Sequence, residues 1–204
     1  MVVAMAGNGT MLGGYRPIGG ALCLDFANTV DWHDSDHPVE LLANADCLST
    51  WAGIAGAGAG AAAVEADEAD LKRALELRDA LWDAFAATAH GRPAPAAALP
   101  VINLALELGG ERRLVVADGG VAWGQRPLRQ VDRLLHGIAR SAADLLTDPS
   151  RLSRVRMCAT EGCGWLFLDE SRGARRRWCS MQGCGNRAKG RAHYRRKAQA
   201  AGIG

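Results

Sequence analysis

Nowhere in this 204-residue chain do about 18 or more apolar residues follow one another, which excludes a conventional membrane-spanning helix. Residues 1–20 lack a basic start followed by an apolar core, so no secretory signal is expected. The expected compartment is then the cytoplasm, where thiols stay reduced. The 6 cysteines therefore read as free thiols or metal ligands, not as a disulfide framework. Nor is the composition that of a disordered chain, with 49% hydrophobic and 23% charged residues. Internal repeats are absent. The first 150 residues also lack a nucleophile–base pair, a phosphate loop and an open metal site, so no enzyme chemistry is expected there.

Acidic residues are scarce at one end only. Residues 1–150 hold 11 Lys+Arg against 19 Asp+Glu, a net −8, while residues 151–204 hold 13 against 3, a net +10. The formal charge of +2 hides this split. An acidic body carrying a basic end points to a polyanionic partner.

Residues 1–19 read as a disordered lead. The apolar run 20–30 fits a strand through Leu22, Leu24 and Phe26, and a helix through Leu22, Phe26 and Val30; it is too short for periodicity to decide. Pro38 suits a first helical turn, with Leu41, Leu42, Ala45, Leu48 and Trp51 on one stripe. Residues 53–63 are almost wholly Ala and Gly, a flexible connection. A strong amphipathic helix is predicted over 67–89, with Trp82 and Phe85 on its buried face and early acids at the positive end of its dipole. A helix over 96–108, a hairpin over 113–125 turning at Gly119-Gly120 and a helix over 128–146 complete a body with its own core. Beyond Pro149, short strands are expected at 154–158, 164–168 and 176–179, then a helix capped by Ser180. The fold class is α+β: a mostly helical domain over 20–148 with a small hairpin, then a zinc module over 149–204.

The zinc reading rests on spacing. Cys158 and Cys163, then Cys179 and Cys184, form two C-x4-C pairs separated by fifteen residues. Tetrahedral zinc asks for two close pairs of thiolates and an insert long enough to fold them together. Glycines beside the ligands allow tight turns, and the second pair straddles the predicted helix start, as in a treble clef. A shell of four thiolates leaves no open position, so one structural ion is expected, and so small a segment needs it to fold. Cys23 and Cys47 sit in apolar runs and read as core. His33 and His37 share an acidic loop that is either a metal site or, as such loops more commonly are, a solvated turn.

Around the second pair lie Arg175, Arg176 and Arg177, then Arg187, Lys189, Arg191, Arg195, Arg196 and Lys197. Arginine's planar fork suits phosphate and guanine edges. Arg187, Arg191 and Arg195 recur every four residues and share a helical stripe. These nine residues are the candidate nucleic-acid contacts, with double-stranded DNA as the expected partner. RNA or ribosome binding, or a protein-interaction adaptor, are the alternatives.

The segments Cys-Gly-Trp-Leu-Phe-Leu-Asp (163–169), Arg-Arg-Trp-Cys-Ser-Met (176–181) and Cys-Gly-Asn-Arg-Ala-Lys (184–189) resemble the CGNR zinc-finger family. Residues 22–31, with 122–124 and 141–146, resemble its usual partner, the ABATE domain. The resemblance covers nearly the whole chain and implies a stress-induced transcription regulator. It implies Cys158, Cys163, Cys179 and Cys184 as zinc ligands and basic residues that meet DNA. The N-terminal domain would sense a small-molecule effector or form a homodimer. Asp25 and Asn28, typical of that family, are candidates to line a ligand pocket; capping a helix or satisfying buried backbone is the other role of such residues.

Overall fold

Three helices make the frame of the body: α1 (Leu22–Ala27), α3 (Glu68–Ala89) and α5 (Gln130–Leu146). The computed structural model describes residues 12–57, 64–110, 112–125 and 128–200, with the side chains of residues 112, 113, 125, 195 and 198–200 outside that description. The ambiguous run at 20–30 is helical. Its residues are buried on nearly every side, which is why neither period stood out: Cys23, Leu24, Phe26 and Ala27 are all fully enclosed. Around α1 pack α3 and α5.

The start of α3 is fixed by a capping box. Asp67 accepts from the Asp70 N–H at 2.8 Å, and the Asp70 carboxylate accepts from the Asp67 N–H at 3.1 Å. Arg73 and Arg129 also converge on Asp70. Burial alone would raise the Asp70 carboxyl, but Arg73, the Asp67 N–H and Arg129 together hold it below the usual carboxylate range. From there Leu71, Ala74, Leu77, Leu81 and Phe85 follow at three- and four-residue steps, all facing the core. Helix α5 answers with Val131, Leu134, Leu135, Ile138, Ala142 and Leu145. Helix α4 (Ala98–Glu107) bridges the two.

Several expectations are corrected. No helix begins at Pro38. Val39–Glu40 (β2) pairs antiparallel with Val30–Asp31 (β1), and Leu41 and Leu42 reach the core from the non-helical chain after β2. Helix α2 (Ala45–Ile54) starts later because the Asn44 side chain caps the Cys47 N–H at 2.9 Å. The hairpin of β3 (Arg112–Ala117) and β4 (Gly120–Gln125) turns at Asp118-Gly119, with φ of 50° and 76°, a type I′ geometry one residue earlier than expected. The lead is packed from Leu12 on: Leu12 and Tyr15 belong to the core, and only residues 1–11 of that expectation lie outside the described residues.

After α6 (Pro149–Leu152) come β5 (Val155–Met157) and β6 (Leu166–Leu168), an antiparallel pair. No strand forms at 176–179, because the Arg176 N–H turns to the buried Asp169 carboxylate at 2.8 Å. A π-helical turn (Met181–Gly185), capped by Ser180, leads into α7 (Asn186–Ala200). Val155, Leu166 and Leu168 sit in the same apolar cluster as the body helices. The charge boundary near residue 150 is therefore not a boundary in packing. Among the described residues no helix is long and apolar enough to cross a membrane.

Candidate zinc centre and basic surface

Folding brings the four cysteine sulfurs together. Cys163 and Cys179 lie 3.9 Å apart, Cys179 and Cys184 3.6 Å, and Cys184 and Cys163 3.7 Å. A tetrahedral zinc ion with bonds of about 2.3 Å requires sulfur–sulfur edges of about 3.8 Å. The residues present fit the ion. They are also the only group of three or more potential metal ligands clustered among the described residues. All four cysteines are buried around Phe167 in a small cluster of their own, and the Cys179 N–H points at the Cys158 sulfur at 3.4 Å. The ion would neutralise thiolates that otherwise repel one another, and a closed four-thiolate shell makes it structural. Cys23 and Cys47 stay in the body core, and burial pushes the Cys23 thiol up to about 12, the mark of an inert packing thiol.

The first knuckle is docked on the body. Gly164 has φ of +66°, and a Cβ there would sit 2.7 Å from the Asp34 nitrogen, so the close approach requires glycine. The His33 N–H donates to the Cys163 carbonyl at 3.2 Å, and the His33 ring stacks on Trp82 at 3.9 Å. Trp82, expected in the body core, is instead only half-buried and donates its indole N–H to the Gly164 carbonyl at 3.0 Å. The His33–His37 loop is thus a docking turn. Trp165 donates to the Val30 carbonyl at 3.0 Å, and the Leu168 N–H to the Gly19 carbonyl at 2.7 Å.

Asp25 and Asn28 serve this same seam. The Asn28 side-chain amide is saturated by the main chain of Leu166. Asp25 accepts from the Gly19 N–H at 2.7 Å, and burial pushes its carboxyl up to about 6 against the pull of the Gly19 and Ile18 backbone. Both fill the backbone-satisfying role.

The basic residues divide. Arg176 is turned inward: its guanidinium lies 4.2 Å over the Phe167 ring and donates to the carbonyls of Trp178, Cys179 and Ile18. It braces the module and is withdrawn from the candidate contacts. Arg175, Arg177, Lys189, Arg191, Arg196 and Lys197 are exposed. Arg187 is exposed too, but its guanidinium sits 4.9 Å over the Trp32 ring of the body. The Arg195 side chain lies outside the described residues.

A cleft of about 230 Å³ lies at the seam beside the zinc site, lined by Arg16, Asp31, Trp32, Trp165, Arg187 and three of the cysteines, among others. Sequence reasoning missed Trp32 and Trp165 as site residues. Their only signal was adjacency, one to the histidine loop and the other to a ligand knuckle.

Residues 20–149 match the family model ABATE, described as a putative stress-induced transcription regulator, and residues 154–197 match the model described as CGNR zinc finger. Neither description is that of an enzyme family. No curated protein matches the chain.

Proposed function

Because the chain belongs to the ABATE family and carries a CGNR zinc finger, we propose that it is a transcription regulator that binds double-stranded DNA through α7. One observation carries this reading. Helix α7 has no acidic residue and no apolar stripe, and the π-helical turn that leads into it is its principal neighbour. Such a helix has no apolar face to bury, so its cations stay free for a polyanionic partner. Its exposed Lys189, Arg191, Arg196 and Lys197 match a phosphate backbone. Rigidity supports the reading as well, because Cys184 of the zinc shell lies two residues before the helix. Tyr194, 74% exposed, shares a groove with Arg177, Trp178 and Arg191, where a base edge or ribose would find a flat contact.

Phosphate contact has a measurable signature, since each neutralised phosphate releases condensed counterions. Log affinity for duplex DNA should fall linearly with log salt, by about 0.9 per contact. Replacing Lys189, Arg191 and Arg196 together by Ala should flatten that slope by about two to three units while zinc content stays unchanged. Tighter binding to structured RNA than to duplex DNA would reassign the partner. A slope identical in the triple variant would reject phosphate contact by α7.

A further inference from the structure

The cleft at the seam brings together side chains of the body, the zinc module and the basic helix. Two indoles, Trp32 and Trp165, line it together with the half-buried Asp31 carboxylate. Four thiolates on one divalent ion would carry a net negative charge, and three of those cysteines line the cleft. Aromatic faces beside acidic groups attract cations, because the ring quadrupole presents its negative face. The chain already demonstrates the preference: the Arg187 guanidinium lies 4.9 Å over the Trp32 ring. Arg187 is exposed and its charge also acts on the Asp31 carboxylate, so a bound cation would contest both of its contacts.

We propose that this cleft binds a small planar organic cation, an amidinium or guanidinium, seated against Trp32 and Trp165 with its charge toward Asp31, in competition with Arg187. The volume, about 230 Å³, lies below the range of roughly 300–1,000 Å³ usual for drug-sized ligands, which limits the occupant to a single ring or a short chain with its charged head. Arg16 also lines the cleft; it is exposed, so water weakens its repulsion of a cation without abolishing it. A zinc ion in its closed four-thiolate shell would offer the ligand no open position.

Benzamidinium and benzoate share shape and ring but carry opposite charge, so they make the decisive pair of probes. The full-length zinc-loaded protein is titrated with each, following the indole N–H resonances of its tryptophans. Benzamidinium should shift the Trp32 and Trp165 resonances saturably, and benzoate should not. Trp32→Asn, a residue that tolerates the φ of 55° at this position, should abolish the response with zinc content intact. Asp31→Asn should weaken binding by roughly tenfold. Arg187→Ala should tighten it, by roughly threefold to thirtyfold, because the internal competitor is gone. A stabilising role for Arg187 alone would not produce that gain. Binding of benzoate as tight as that of benzamidinium, no saturable shift with benzamidinium, or weaker binding in Arg187→Ala would each overturn the proposal.

Discussion

Asn28 pairs with Leu166 as one strand residue pairs with another: its side-chain amide accepts from the Leu166 N–H at 2.7 Å and donates to the Leu166 carbonyl at 2.8 Å, across 138 positions of sequence. Asn28 is 1% exposed and Leu166 fully buried, so water cannot replace either bond. The edge of β6 is thereby closed by a helix-terminal side chain instead of a third strand.

Asn28→Ala strands a buried N–H and a buried carbonyl, each costing about 1–3 kcal/mol. The expected loss is about 2–5 kcal/mol in denaturant unfolding of the zinc-loaded protein. Asn28→Asp keeps the acceptor but sets a buried carboxylate oxygen against the Leu166 carbonyl, so at neutral pH it should be no more stable than Asn28→Ala. Equal stability of Asn28→Ala and the parent would show that the seam is satisfied some other way.

Removal of the metal should be felt in the body. Elemental analysis should find one zinc per chain, absent in Cys179→Ser. Because Val155, Leu166 and Leu168 share the body's core, chelation should lower the melting temperature of the helices as well as expose the module. Unchanged helical melting after complete chelation would mean that the body folds alone.

Arg176 and its neighbours should behave differently although they are adjacent in sequence. Arg176→Ala loses the bonds to three carbonyls and the packing on Phe167, so it should destabilise the module without altering the salt slope for DNA. Arg175→Ala and Arg177→Ala, at exposed positions, should leave stability within about 0.5 kcal/mol. Reversed phenotypes would contradict the inward placement.

The Asp25 carboxyl gives a pH signature. Its folded-state value of about 6 stands above the ordinary 3.8, so the folded protein holds the proton more tightly than the unfolded chain. The favourable contribution is complete below the unfolded value and is lost as pH rises through about 6. Asp25→Asn keeps an acceptor for the Gly19 N–H and removes this titration. Urea unfolding of both proteins at several pH values should show the Asn variant gaining relative stability as pH rises from about 4 to about 7. Taking the difference cancels the cysteine–zinc equilibrium they share. A flat difference would mean that Asp25 titrates normally.

Local signals carried the zinc site and the long helices. The paired cysteines declare a tetrahedral shell by spacing alone, and Leu71 to Phe85 declare their buried face by period. Contacts between distant segments left no such trace. Asn28 looks in sequence like a capping or pocket residue, since nothing near it reveals a partner 138 positions away. Leu41 and Leu42 fit a helical stripe on paper, yet the Asn44 cap starts the helix after them. Arg176 stands between two arginines of the same type, and only the carbonyls around it separate brace from surface.

The shared core also bears on how the chain can be divided. Cutting near residue 149, where composition and charge change, would leave Val155, Leu166 and Leu168 without a lid on one fragment and open the flanks of α1 and α3 on the other. Each piece would then present sticky surface to its neighbours, so the finger is not a portable cassette. Swapping it between relatives should succeed only when the residues that receive it, Gly19, Asn28, Val30 and Trp82, travel with it.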